Sequence, residues 1–423
     1  MHSKLKEYLR CDNLFYLIMI VTIIWSAVFI GQTRGANWDG ILFSDMGDSF
    51  MDFFHPINHS FNWDPYIAVD RIYPALPYLL YGFLSLFIPR EICELGGSAI
   101  KGSYQGMIVF IIYNVVTIFL TVILMNSFIK ISPWKKYLAT FLLLMSAPFL
   151  FQFQRTNIIL VTFIFIMIYI KLVNSKNKIY RELSIICLVI ASCIKIYPAI
   201  FGLKLLKEKR YFDVLKCILY GIVFFILPFH FMGGFSRIFV MMNNLFKGVT
   251  EGTEFGYKVN ITNTMQFLNK WFGFSTHSKL YSIMALVLLI VSIFSYFLIK
   301  TEWKSMLILS VLVATIPGIS FSYSIIFLAI PLLMFLNEST YKKEDYLYML
   351  LFVFSFASFV FVNKKGITII AGGNYHYVIT TLIEGIALIA FLVILNLDGL
   401  NAARIMLKKN RSKTIGKSPK KQA

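Results

Sequence analysis

Leu14-Phe15-Tyr16-Leu17-Ile18-Met19-Ile20-Val21-Thr22-Ile23-Ile24-Trp25-Ser26-Ala27-Val28-Phe29-Ile30 contains no charged residue. A run of this length approaches the roughly 20 apolar residues that carry a helix across a bilayer core. Lys4, Lys6 and Arg10 precede it, as in a secretory leader. However, the run is long for a leader, and its exit, Phe29-Ile30-Gly31-Gln32, has no cleavage pattern of small residues. We therefore read it as a retained first transmembrane helix. A second run of the same kind extends from Tyr281 to Ile299.

Composition agrees with this reading. Of 423 residues, 58% are apolar and 14% charged, with 42 Phe and 23 Tyr, and the mean hydropathy is +0.72. Soluble domains carry roughly 45–50% apolar and about 25% charged residues, so a water-soluble enzyme is excluded. Lys and Arg outnumber Asp and Glu by 40 to 21, but the basic residues fall in short clusters between apolar runs and in the tail from Lys408 to Lys421. No nucleic-acid motif accompanies them, and a polybasic tail beside a membrane segment reads as a contact with anionic lipid. Cys11, Cys93, Cys187, Cys193 and Cys217 lie in or beside apolar segments without paired spacing, which argues against a disulfide framework or a zinc site.

The chain reads as an all-α, polytopic membrane protein with about twelve transmembrane helices. The spans are expected near 14–31, 73–89, 105–129, 136–151, 156–173, 182–203, 212–232, 279–299, 304–319, 322–337, 345–362 and 375–396. An even count puts both basic termini on one side, and the positive-inside tendency makes that side the cytoplasm. Two long loops, 32–72 and 233–279, then face the opposite side, and loops of this length in compact proteins usually carry function. The expected organisation is a module at 1–235 holding the first loop, a second part at 236–400, and a basic cytoplasmic tail at 401–423.

The first loop holds the best chemical signal. Asp45, Asp48, Asp52 and His55 are spaced three, four and three apart, which places them on one helical face, while Met46, Phe50, Phe53 and Phe54 occupy the other. With Ser44 as N-cap and Pro56 as terminator, this is an amphipathic interface helix, its apolar side in lipid and its carboxylates toward water or a cavity. The face is either merely solvated or chemical. In the chemical version one carboxylate is a general base, with Asp52, Asp48 and Asp45 as candidates. Asp48, Asp52 and His55 also permit a divalent cation such as Mg or Mn, although their spacing is no strong metal motif.

Four stretches carry a family resemblance: Asp52-Phe53-Phe54 with Asp64-Pro65-Tyr66; Arg71-Ile72-Tyr73-Pro74-Ala75-Leu76; Arg155-Thr156-Asn157-Ile158-Ile159-Leu160; and Cys193-Ile194-Lys195-Ile196-Tyr197-Pro198-Ala199 followed by Lys207 to Arg210. In this order they resemble GT-C-type glycosyltransferases that use a polyprenyl-phosphate sugar, in particular the bacterial polyprenyl-phosphate-mannose-dependent mannosyltransferase branch. Phe321-Ser322-Tyr323 leading to Ile330-Pro331-Leu332 is a weaker echo. Ala75 stands where the family has a second proline, and the Arg155 stretch lacks the family's glycine. The resemblance implies transfer of a sugar from a lipid phosphate to an acceptor on the extracytoplasmic face, with inversion at the anomeric carbon. It implies an acidic base in the first loop, Asp52 by position. It also brings forward Asn157 and Tyr197 as substrate-binding residues.

A departing lipid phosphate needs positive charge or hydrogen-bond donors. Lys195 lies within an apolar segment, where an ionisable residue is costly. It either binds a ligand or snorkels to the surface. Arg71 and Arg155 are further candidates, and His376, at an expected external helix start, is either a phosphate-binding residue or a satisfied interfacial histidine. Glu384, inside the last span, is expected simply to pair with a neighbour. Asn58-His59-Ser60 and Asn260-Ile261-Thr262 match glycosylation acceptors by pattern alone. The function expected is an integral membrane hexosyltransferase of a bacterial plasma membrane, with a polyprenyl-phosphate sugar donor, a glycan or glycolipid acceptor and no nucleic-acid partner. A polysaccharide polymerase or ligase would lean on basic residues in a late external loop. A lipid-linked oligosaccharide flippase or transporter would carry a two-half repeat, which the sequence does not contain.

Overall fold

The computed structural model describes residues 10–35, 42, 45–67, 71–130, 132–251, 257–272, 278–358 and 375–415. The described chain is helical, apart from a bridge between Lys258 and Phe321. Its principal helices are α1 (Cys11–Gln32), α2 (Met51–Ser60), α3 (Ala75–Ser85), α4 (Tyr104–Phe128), α5 (Pro133–Leu144), α6 (Ala147–Arg155), α7 (Ile159–Leu172) and α8 (Lys178–Ile194). They continue with α9 (Tyr211–Phe231), α10 (Arg237–Glu251), α11 (Ile261–Phe272), α12 (Ser278–Leu298), α13 (Glu302–Thr315), α14 (Ala329–Phe335), α15 (Asp345–Phe356) and α16 (Tyr375–Ile415).

Each apolar run in the sequence contributes helix, but the runs are not equivalent. Five helices among the described residues are long and apolar enough to cross a membrane: α1, α4, α9, α12 from Lys279 and α16 over Thr380–Lys408. The pair α5 and α6, bent by 57°, makes a sixth if counted as one span. The expected twelve therefore mixes two kinds of helix. In α4, residues such as Ile111, Ile112, Val115 and Phe119 are exposed, giving the apolar outer surface of a helix that meets lipid. In α13, every residue from Trp303 to Thr315 is buried. A helix that is apolar all round is the kind found in a protein interior, and α13 is the centre of the bundle. Its one charged interior residue, Lys304, is paired with Asp398 of α16 at 2.6 Å, as a buried charge must be.

Several spans break where the sequence breaks them. Ser146 precedes Ala147-Pro148, and the chain bends there between α5 and α6. Thr156, with φ of 51°, caps α6 and separates it from α7. The expected helix over 182–203 stops at Ile194, because Pro198 disfavours helical geometry before it. Lys195 is extended, and a 3₁₀ turn follows over Tyr197–Gly202. The run 322–337 likewise begins as a 3₁₀ segment, Ser322–Leu328, before α14.

The first loop departs most from expectation. Asp45 and Asp48 lie in turns, and the helix starts only at Met51, after Phe50 in left-handed geometry with φ of 68°. The Phe50 N–H donates to the Gln154 carbonyl at 2.6 Å, and Gln154 Nε2 donates to Ser49 Oγ at 3.3 Å. The loop is therefore moored to the end of α6, and this tertiary contact overrides the helical period. Ser44 lies outside the described residues. Pro56 does not end α2 but sits inside it. Its missing N–H leaves the Asp52 carbonyl without a helical donor, and the Tyr81 hydroxyl donates to that oxygen at 3.4 Å. Phe53 and Phe54 do not enter lipid. Both are fully buried, against Phe110 of α4 and, for Phe53, Tyr81 and Tyr113. Met46, by contrast, is exposed.

The two long loops are joined. Asp64 pairs with Arg237 at the start of α10, and Gly233, at φ of +84°, packs against the Asp64 carboxylate. A Cβ at Gly233 would collide with the Asp64 carboxylate. Gly233→Ala should therefore lower stability by about 2 kcal/mol through backbone strain alone, read as a lower thermal midpoint in detergent. The second loop is tied down again where Val259 N–H donates to Ser320 O at 2.9 Å and Ser322 N–H to Tyr257 O at 3.0 Å. Both glycosylation-type asparagines serve packing: Asn58 Nδ2 donates to Cys93 O at 2.7 Å, and Asn260 Nδ2 to Gly318 O at 2.8 Å. All five cysteines are free thiols.

Candidate active site

The helix breaks converge. Asp52 stands in the first turn of α2, where the helix dipole favours an anion. Arg155 closes α6, where a cation is favoured for the complementary reason. Its guanidinium spans the two carboxylates, Nη1 on Asp48 Oδ2 and Nη2 on Asp52 Oδ1, a fork that suits its geometry. Asn157, buried just past the left-handed Thr156, donates Nδ2 to Asp52 Oδ2 at 2.8 Å and to the Tyr73 hydroxyl at 3.1 Å. Its own Oδ1 accepts from Ile159 N–H at 3.0 Å, which fixes the amide at the start of α7. Asn157 Nδ2 is also 3.4 Å from the Tyr323 hydroxyl.

Lys195 does not snorkel. It is 9% exposed, and its ammonium lies over the rings of Tyr73, Tyr323 and Tyr197, at 5.0, 5.6 and 5.9 Å from their centroids. The three ring faces hold the cation beside Asp52. Asp48, Asp52, Arg155, Asn157, Lys195 and Tyr197 all border one cavity of about 650 Å³, whose remaining walls are mainly apolar and aromatic. Leu245 and Phe246 of α10 close one side, so the second loop does contribute to the site.

A smaller cavity of about 330 Å³ meets the first at Asp52, Ile72 and Tyr73. It is markedly more polar and is bordered by His55, His59 and Arg71. The two imidazoles stack in parallel at 5.8 Å. Partial burial holds His55 below its ordinary pKa, with Asp48 acting upward and Arg71 downward. Asp52 is thus the carboxylate shared by an amphiphilic chamber and a hydrophilic one.

Of the residues singled out from sequence, Asp48, Asp52, Arg155, Asn157, Lys195 and Tyr197 come together, while Arg71 and His55 flank Asp52 on its polar side. Asp45 does not join them: its Oδ1 accepts from Gly47 N–H at 2.8 Å within its own exposed turn. The His376 side chain lies outside the described residues. Of the divalent-cation set, Asp48 and Asp52 are both paired with the Arg155 guanidinium, and no group of three or more His, Cys, Asp or Glu suited to a metal ion occurs among the described residues. Glu384 is fully buried in α16 and accepts from Ser322 Oγ at 2.7 Å, beside the site but not in it. Sequence reasoning passed over Tyr73 and Tyr323 as site residues. The motifs containing them were visible, but the convergence of both hydroxyls on Asn157 was not.

Among known families, the sequence model of glycosyltransferase family 87 matches residues 81–331, more than half of the chain. The chain belongs to glycosyltransferase family 87. No curated protein and no solved structure is matched. The family 87 region takes in Arg155, Asn157, Lys195, Tyr197 and Tyr323, whereas Asp48, Asp52 and Tyr73 precede it. In this family 87 protein, the matched region thus supplies the cations, the amide and two of the tyrosines, while the segment before it supplies the carboxylates and Tyr73.

Proposed function

We propose that this glycosyltransferase moves a sugar from a polyprenyl-phosphate carrier to a hydroxyl of an envelope glycan, glycolipid or cell-wall polymer, on the extracytoplasmic face of a bacterial plasma membrane. One observation carries the reading: Asp52 and the buried Lys195 border a single, mostly apolar cavity. A nucleotide sugar would ask for polar walls, whereas a lipid phosphate asks for one cationic spot in an apolar setting. In the reaction, Asp52 accepts the acceptor's hydroxyl proton as that oxygen attacks the anomeric carbon. The bond from that carbon to the phosphate oxygen breaks, and its electron pair leaves with the polyprenyl phosphate. Lys195 and Arg155 balance the charge that develops on the leaving group. Attack from the polar chamber, opposite the departing phosphate, inverts the anomeric centre. The GT-C type of the fold and the extracytoplasmic side rest on the motif order and on the distribution of basic residues.

The test uses membranes containing the protein, supplied with labelled polyprenyl-phosphate sugars in parallel with nucleotide sugars. Label should pass to endogenous acceptor only from the lipid phosphates. Transfer from a nucleotide sugar, with none from the lipid series, overturns the reading.

A further inference from the structure

Glu384 is a buried acid that the reaction above leaves unused. It lies in α16 with no exposed surface and accepts from Ser322 Oγ at 2.7 Å, and its second oxygen has no hydrogen-bond partner among the described residues. An ionisable side chain inside a membrane helix is costly, and its default reading is functional. Close packing brings it here. At Gly385, the next residue, a Cβ would collide with the Thr264 side chain of α11, so the two helices meet without room for more. Stability does not account for the acid. A hydrogen bond between membrane segments contributes little, and an apolar side chain would fill the same space without a desolvation cost.

Ser322 is the point at which this carboxyl reaches the active site. The backbone is extended at Phe321, and along extended chain neighbouring side chains point to opposite sides. Phe321 and Tyr323 border the active-site cavity, whereas Ser322 turns the other way, to Glu384. The Ser322 N–H is held by Tyr257 O at 3.0 Å, and Glu384 adds a second restraint through the side chain, at the start of the 3₁₀ segment. One residue further, the Tyr323 hydroxyl lies 3.4 Å from Asn157 Nδ2, and its ring centroid lies 5.6 Å from Lys195 Nζ. We infer, granted that this cavity is the active site as proposed above, that Glu384 is a positioning residue for sugar transfer. Acting through Ser322, it sets the Tyr323 ring on which Lys195 rests and the hydroxyl beside Asn157. Glu384 itself borders no part of the cavity. The role therefore asks for a hydrogen-bond acceptor, not for a charge or a transferable proton.

The test measures turnover on the full-length protein, with whichever labelled sugar donor the unaltered protein uses, beside its thermal midpoint in detergent. Glu384→Leu removes the acceptor and should lower turnover about tenfold without lowering the midpoint. Glu384→Met takes its place if leucine does not fit. Glu384→Gln keeps an oxygen for Ser322 and should recover most of the turnover, which a role in charge or proton transfer forbids. Ser322→Ala should match Glu384→Leu, and the double variant should be no worse than either, because each change removes the same interaction. Full turnover in Glu384→Leu, a loss there that follows a lowered midpoint, an equal loss in Glu384→Gln, or losses that multiply in the double variant overturn the assignment. The site reading fails separately, if Asp52→Asn and Lys195→Met both transfer normally. If those two are inactive while Glu384→Leu is fully active, only the role given to Glu384 falls.

Discussion

Asp52→Asn should abolish transfer while leaving the protein folded in the membrane. The amide matches the carboxylate in shape, so its oxygen still receives Asn157, and Asp48 still holds Arg155. What disappears is the capacity to take a proton, and loss of a general base lowers turnover by about 10²–10⁴-fold. The measurement is label transfer at saturating donor, with binding of the donor followed in parallel. A base defect lowers turnover and spares binding. Asp48→Asn provides the control, because Asp48 also borders the cavity and shares the guanidinium. Retained activity in Asp52→Asn, with loss in Asp48→Asn, would move the base four residues toward the N-terminus. Asp45→Asn should have no effect, since that side chain is engaged in its own turn.

Lys195→Met should produce the second large effect, and on a different quantity. Methionine fills a similar volume and can still pack among Tyr73, Tyr197 and Tyr323, so the pocket keeps its shape. Removal of a charge aimed at a departing phosphate should lower turnover by about 10²–10³-fold and weaken undecaprenyl phosphate as well. Lys195→Arg should restore much of the binding and less of the turnover, since the larger, planar cation cannot occupy the same place above the three rings. Unchanged affinity and turnover in Lys195→Met would remove the lysine from the site and leave Arg155 as the sole cation facing the leaving group.

The features that could be read without a structure were those with local causes. The all-helical character and membrane residence follow from composition and run length, but the expected spans 136–151, 182–203 and 304–319 ran through Pro148, Pro198 and Pro317, near which the helices break. The candidates Asp52, Arg155, Asn157 and Lys195 were reached through residue type and motif order. Two matters depended on long-range packing and escaped. Twelve apolar runs look alike in sequence, because a helix meeting lipid and a helix such as α13, enclosed by other helices, both need apolar faces. The helical period through Asp45, Asp48, Asp52 and His55 was genuine as a pattern. It yielded to the mooring of Phe50 on Gln154, two residues more than a hundred positions apart, which no local rule contains.

The clasp of Arg155 on Asp48 and Asp52 has a consequence for water. A chamber that admits a hydrophilic acceptor also admits solvent, and every activated sugar parked beside a carboxylate base is exposed to wasteful hydrolysis. In the resting arrangement both Asp52 oxygens accept, one from Arg155 and one from Asn157, so the carboxylate shares its charge with the guanidinium. An incoming phosphate competes with the carboxylates for the same guanidinium, and Asp52 becomes free to act as that exchange occurs. On the lipid-linked donor and the base proposed above, the ion pair would work as a safety catch that ties the readiness of the base to the arrival of the donor.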